Sequence, residues 1–314
     1  MITVRAAVRT FIKDPNSGPQ TDQSRDKYRA TLERFASEGN PLAPIDSVTT
    51  HDIIRFMEGF EVAASTRRTY FNRLESFFNW CVLKDLLAEN PVRPARAHFP
   101  AKPKPVKQHN WLSKDQVEEV YRALKHESVS PTIGLRDLAV LMLGFTMGLR
   151  RQEIATIRWV DVDLVDQSLK IKGKGDKLAK LWIPGRTANV LSTLHNQYIK
   201  DPTYVRHEDD TVIPPMLVNH AVVDGFVYNS VGYRWGRQIS NSAISHIVAR
   251  ASNWAGIDFS PHDMRRSYAG QLEELGYGIE VISKALRHSD FGVTQRYLKG
   301  RQDAAYQALS GLDF

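Results

Sequence analysis

A single cysteine, Cys81, stands among the 314 residues. An intramolecular disulfide is therefore impossible, and a zinc cluster built on thiolates is excluded. Cys81 lies in the run Phe77, Phe78, Trp80, Cys81, Val82 and reads as a small buried hydrophobe. No run approaches the ~20 apolar residues that span a bilayer. The N-terminus also lacks the apolar stretch and small-residue cleavage site of a secretory leader. The expectation is a soluble cytoplasmic protein with no membrane partner. The phosphate loop G-x-x-x-x-G-K-[ST] is missing, and so is the G-x-S-x-G elbow of serine hydrolases. Gly173-Lys174-Gly175 is too short to be such a loop. Asp161, Asp163 and Asp166 fall between a predicted helix and a predicted strand. Turn and capping roles suit them better than a metal-dependent nuclease site. These gaps weigh against NTPase and hydrolase classes, and nothing implies a metal or another cofactor.

What the chain does have is excess positive charge. Lys and Arg total 42 against 35 Asp and Glu, a formal net charge of +7. That balance favours a polyanionic partner such as nucleic acid or an acidic membrane. Hydrophobic residues at 42% and charged residues at 25% lie in the ordinary globular range. The length suggests two domains.

Residues 1–91 read as all-helical, with helices expected over about 3–13 and 22–37 and from Thr49-Thr50 onward. The clearest helix follows Ser65, where Tyr70, Leu74, Phe77, Phe78 and Cys81 recur at helical period. Residues 92–110 hold Pro94, Pro100, Pro103 and Pro105, and are expected to lack a regular helix or central strand. They also hold Arg93, Arg96, Lys102, Lys104 and Lys107 and no acidic residue. Composition leaves two readings open: a solvated stiff linker, or a basic strap along a phosphate backbone. A second domain, 111–314, opens with Ser113 as a helix cap. Residues 138–147 predict a buried helix, and 168–172 with 179–183 predict a hairpin around Gly173-Lys174-Gly175-Asp176. Residues 200–240 carry no clear pattern. Helices are expected near 244–251, from Ser260-Pro261, and over 278–286, 293–299 and 303–309. The predicted fold class is mainly α: a helical N-terminal domain and an α-rich second domain with a small antiparallel sheet.

Several polar residues sit at the ends of apolar helices. Arg150 follows a buried run, and Glu153 shares its helical face. Taken alone, this reads as a structural ion pair. His262 and Arg265 lie at i and i+3 near the N-terminus of the Ser260-Pro261 helix, where free N–H groups favour a phosphate. His288 opens the Arg287-His288-Ser289-Asp290 turn, and Tyr297 follows nine residues later. Each of these is unremarkable in isolation.

Their order is more specific. Gly148-Leu149-Arg150-Arg151-Gln152-Glu153 resembles the first arginine motif of the tyrosine recombinase (phage integrase) family. Gly173-Lys174-Gly175-Asp176-Lys177 is similar to the family's hairpin lysine motif. Ser260-Pro261-His262-Asp263-Met264-Arg265 resembles its His-x-x-Arg box. Leu286-Arg287-His288-Ser289-Asp290, with Thr294 and Tyr297, resembles its final segment. The helices of 1–91 and Asn90-Pro91 are similar to its core-binding domain, so the resemblance spans nearly the whole chain. Many members carry Gly where this chain has Arg287. Arginine is doubled at both arginine motifs, and spacing selects Arg150 and Arg265. Arg151 and Arg266 are left as surface or DNA-contacting residues.

The resemblance implies an enzyme whose catalytic residues are Arg150, Lys174, His262, Arg265, His288 and Tyr297, with Glu153 orienting Arg150. Two guanidiniums would grip the non-bridging oxygens of a phosphodiester. Tyr297 would attack the phosphorus, His262 would accept the phenol proton, and Lys174, with Lys177 as runner-up, would protonate the leaving 5′-oxygen. The 3′-phosphotyrosine keeps the energy of the broken bond, so rejoining needs neither ATP nor metal. The implied partners are double-stranded DNA with an inverted-repeat core site and further copies of the chain, four protomers on two sites, associated with the nucleoid. The C-terminal helix could dock on a neighbour or on its own domain. No separate arm-binding domain is expected, which suits a compact Xer-like architecture. Two alternatives remain: a type IB topoisomerase, and a non-catalytic DNA-binding regulator.

Overall fold

The computed structural model describes residues 1–19, 21–99, 111–128, 130–172, 178–202, 204, 210–223, 226–287 and 294. The chain divides into two units, Met1–Lys107 and Gln108–Phe314.

The first unit is helical: α1 (Val4–Lys13), α2 (Asp22–Glu38), α3 (Thr50–Glu58), α4 (Ala64–Leu83) and α5 (Val92–His98). Local chemistry starts α1, α2 and α3 where the sequence places threonine caps. The Thr3 and Thr21 hydroxyls accept from the N–H groups of Ala6 and Ser24. Thr49 and Asp52 cap α3 reciprocally, a capping box. The core is rich in aromatic rings. Phe11 meets Phe77 edge-on at 5.4 Å, and Phe35 meets Phe56 at 5.2 Å. Each such ring contributes about 1.5–3 kcal/mol by leaving water. Cys81 is fully buried in this core, and burial pushes its thiol up to about 12.

Helix α5 corrects the expectation that 92–110 would hold no helix. Pro94 lies in its first turn, where a missing N–H costs nothing because the helix has no acceptor there. Val92 and Ala95 are fully buried in the first core, so these residues belong to the N-terminal unit. Residues 100–110 of the expected linker lie outside the described residues.

The second unit contains α6 (Lys114–Glu127), α7 (Pro131–Met147), α8 (Arg151–Thr156), a three-stranded antiparallel sheet, α9 (Gly185–Lys200), a two-stranded hairpin, α10 (Asn241–Ala255), α11 (Pro261–Glu274) and α12 (Ile279–Leu286). The sheet runs β1 (Val162–Asp163), β2 (Ser168–Lys172), β3 (Leu178–Trp182), with Lys172 opposite Leu178. The hairpin pairs β4 (Met216–Val223) with β5 (Phe226–Tyr233). Neither α9 nor this hairpin was expected from the sequence. Helix α7 is central and packs against α6, α9 and α11. Its buried polar pair also ties it to α10. Asp137, fully buried, accepts from Arg136 Nε at 2.9 Å and from Arg250. Asp161 and Asp163 serve local structure near β1. Asp161 pairs with Arg158, and Asp163 accepts from the N–H groups of Val165 and Asp166. Among the described residues, no helix is long and apolar enough to cross a membrane.

Candidate active site

Helix α7 ends at Gly148, whose φ of +59° is left-handed. Glycine adopts this conformation without strain. A Cβ here would also strike the ring of Tyr268 on α11. The turn therefore requires glycine twice over, and it delivers Arg150 to the start of α8. Glu153 then fixes that arginine. Its carboxylate accepts from the Arg150 backbone N–H at 2.7 Å and from Arg150 Nη1 at 2.9 Å. The Arg150 side chain remains 41% exposed, within reach of an incoming anion.

Arg265 lies on α11, only 1% exposed. Its two terminal nitrogens donate to the carbonyl oxygens of Gly148 and Leu286. One guanidinium thus joins the turn after α7 to the turn after α12. His262 sits exposed in the first turn of α11. Asp263, one residue on, accepts from the Ser260 N–H at 3.0 Å and the Ser260 hydroxyl at 2.6 Å, and so holds the start of the helix.

Helix α12 ends on Arg287 with φ +55°. The left-handed turn is kept although glycine is absent. A non-glycine residue pays about 1–2 kcal/mol for it. The side chain offsets the strain: Arg287 Nη2 donates to Glu153 Oε2 at 2.8 Å. Glu153 therefore serves Arg150, three residues before it, and Arg287, 134 residues after it. Burial raises its carboxyl, but Arg287 first, then Arg150, outweigh that and hold it below the usual carboxylate range. Burial lowers the Arg287 guanidinium, and Glu153 partly offsets this. Both groups are charged at neutral pH. Burial pushes the Tyr268 phenol up, against the pull of Arg287 and Arg265.

The structure bonds Arg150 to Glu153 and ties Arg265 to the carbonyl of Gly148, two residues before Arg150. It adds Arg287 and Tyr268, which the sequence reading did not assign. Arg287 was visible as a departure at a glycine position. Tyr268 carried no signal, because its place depends on how α11 packs on α7. Lys174, Lys177, His288 and Tyr297 lie outside the described residues, as do Lys102, Lys104 and Lys107. Thr294, in the final segment, is fully buried. Of the expected DNA contacts, Arg93 is exposed. Arg96 pairs with Glu75 at 2.7 Å and Asn72 at 3.0 Å. Arg151 is exposed and donates to Ser245 of α10 at 2.6 Å. Arg266 pairs with Asp263 at 2.7 Å. A groove of about 280 Å³ opens beside Glu153, lined in part by Arg158, Lys170 and Lys172.

Comparison with known proteins gives this arrangement its class. Residues 110–303 match the phage integrase family model. Tyrosine recombinase XerC of Alcanivorax borkumensis is 26% identical over 259 residues, covering 81% of this chain and 76% of the relative. Tyrosine recombinase XerD of Pseudomonas aeruginosa is 25% identical over 284 residues, covering 88% and 86%. Among solved structures, XerH site-specific recombinase on a palindromic difH substrate, in a post-cleavage complex, aligns with TM-score 0.69. Its identity is 14%, and the alignment covers 98% of this chain and 95% of that one. A lambda integrase dimer on a COC′ core site aligns with TM-score 0.66 at 16% identity, covering 96% and 78%. The chain belongs to the phage integrase family. It is a tyrosine recombinase, an enzyme of site-specific DNA recombination.

Proposed function

We propose that the chain recombines DNA at an inverted-repeat core site through a 3′-phosphotyrosine at Tyr297. One observation carries the reading: Arg265 bonds the turn that presents Arg150 and the turn that enters His288. That bond supports a reading in which Arg150 and Arg265, distant in sequence, act on one phosphate.

The chemistry follows from that charge. Arg150 and Arg265 hold the non-bridging oxygens and stabilise the charge that builds on them. His288 adds a donor. The Tyr297 oxygen forms a bond to phosphorus while its proton passes to His262. The bond from phosphorus to the 5′-oxygen breaks, and Lys174 supplies the proton that oxygen takes. The 5′-hydroxyl of a second strand then attacks the phosphotyrosine and releases the phenol. A phenol of ordinary pKa near 10 is ionised in about one molecule per thousand at neutral pH, so the nearby cations matter for attack.

The partners follow from symmetry. Protein pairs bind repeats related by a two-fold, and the XerH neighbour was solved on a palindromic substrate. Four protomers on two such sites allow strands to be exchanged. Lys102, Lys104, Lys107, Arg93 and Arg151 supply phosphate contacts.

The test uses an inverted repeat selected from random duplexes by binding to the protein. A plasmid carrying two copies should undergo inversion or deletion, and a repeat-free plasmid should keep its supercoils. Rapid, complete relaxation of the repeat-free plasmid would favour the topoisomerase reading instead.

A further inference from the structure

We propose that Arg287 is a positioning residue of the strand-transfer reaction: through Glu153 it frees the positive charge of Arg150 for the scissile phosphate. The proposal rests on the reading that Arg150 binds that phosphate.

Charge at the site makes the argument. Arg150 and Glu153 alone form a neutral pair at 2.9 Å. A buried carboxylate so close would offset the guanidinium and repel an incoming phosphodiester. Arg287 adds a second cation to the same carboxylate, 2.8 Å from Oε2. The group of three then carries net charge +1. Glu153 can hold Arg150 in place without cancelling it. Only 9% of the Glu153 side chain and 12% of the Arg287 side chain are exposed, so water and salt screen this exchange weakly.

Geometry adds a second effect. Arg287 immediately precedes His288, and the same turn is held by Arg265 through the Leu286 carbonyl. The Arg287–Glu153 bond is a second tie between the α12 turn and the start of α8. Glycine at 287 would keep the left-handed backbone but could make no such tie.

The experiment measures single-turnover cleavage on a nicked suicide duplex carrying the selected repeat, for wild type, Arg287→Gly, Arg287→Lys, Glu153→Gln and the double variant Arg287→Gly/Glu153→Gln. Arg287→Gly should bind the duplex as wild type does and cleave about tenfold more slowly or worse, since even one electrostatic donor at a reacting centre is worth about 10²–10³. Arg287→Lys should recover part of the rate. Glu153→Gln should relieve the defect of Arg287→Gly, because the charge needing compensation is gone. A role confined to tying the α12 turn to α8 predicts no such relief, because Glu153→Gln does not restore the tie, and the pair forms a double-mutant cycle. If wild type cleaves and Arg287→Gly cleaves at the same rate, or if Glu153→Gln deepens its defect, the proposal is overturned. If wild type forms no covalent adduct on the selected duplex, the catalytic reading falls, and this proposal with it.

Discussion

Arg265 donates from one guanidinium nitrogen to the carbonyl oxygen of Gly148, 117 residues earlier in the chain. A buried arginine that bonds main-chain oxygens fixes backbone, not merely side chains. Arg265→Lys keeps one charge but loses the planar fork that reaches Gly148 and Leu286 together. Cleavage should fall at least 100-fold, and the thermal midpoint should drop by several degrees, about 4 °C per kcal/mol or less in a unit this large. Cleavage assays and thermal melts check both. A lysine variant of unchanged stability would contradict the tie between the two turns.

Gly148 should tolerate alanine poorly. Its backbone is left-handed and the Tyr268 ring occupies the space a Cβ would need. Left-handed strain and overpacking together should cost about 3 kcal/mol. Gly256 is the control: φ is +64° with nothing within 4 Å, so Gly256→Ala should cost about 1 kcal/mol. Urea titrations of the two variants should separate clearly. Equal losses would mean that the Tyr268 contact is unimportant.

Glu153 sets a pH dependence. Its folded carboxyl lies below its ordinary 4.5. A depressed carboxylate stabilises fully above the unfolded value and loses that contribution as pH falls through the folded one. Wild type should therefore exceed Glu153→Gln by about 2 kcal/mol at pH 7. The gap should narrow as pH falls below about 4.5. Urea midpoints at pH 7, 5, 4 and 3 measure it. A gap that stays constant would show that Glu153 is not held as a carboxylate by its arginines.

DNA binding should weaken steeply with salt. Each phosphate contact contributes about 0.9 to the log–log slope. Replacing Lys102, Lys104 and Lys107 together should flatten that slope by close to three such increments. Arg96→Ala should leave the slope alone, since Arg96 already pairs with Glu75. A flattened slope in Arg96→Ala would return that arginine to the DNA surface.

Much of this was legible in sequence because local chemistry decided it. Ser113 caps α6 as its position suggests, accepting from the Gln116 N–H. The apolar stripe through Phe77 and Phe78 lies in the core. The Arg150–Glu153 pair was legible because i and i+3 share a helical face, and the structure bonds the two. Helix α9 was not. It has no side-chain cap, and Thr187, Asn189, Ser192 and Thr193 are weak helix formers, so burial of Leu191, Leu194 and Tyr198 decides it. The β4–β5 hairpin was missed although Asp224-Gly225 is a strong two-residue turn signal. Arg287 was seen as an exception, and its partner Glu153 could only be found in three dimensions.

Covalent attack by Tyr297 is read out as adduct formation on a nicked suicide duplex bearing the selected repeat. Wild type and Tyr268→Phe should both become covalently linked to DNA, with the label released as a phosphotyrosine peptide on proteolysis. Tyr297→Phe should bind the duplex and remain unlinked. An adduct that persists in Tyr297→Phe, or disappears in Tyr268→Phe while binding is retained, would contradict the account.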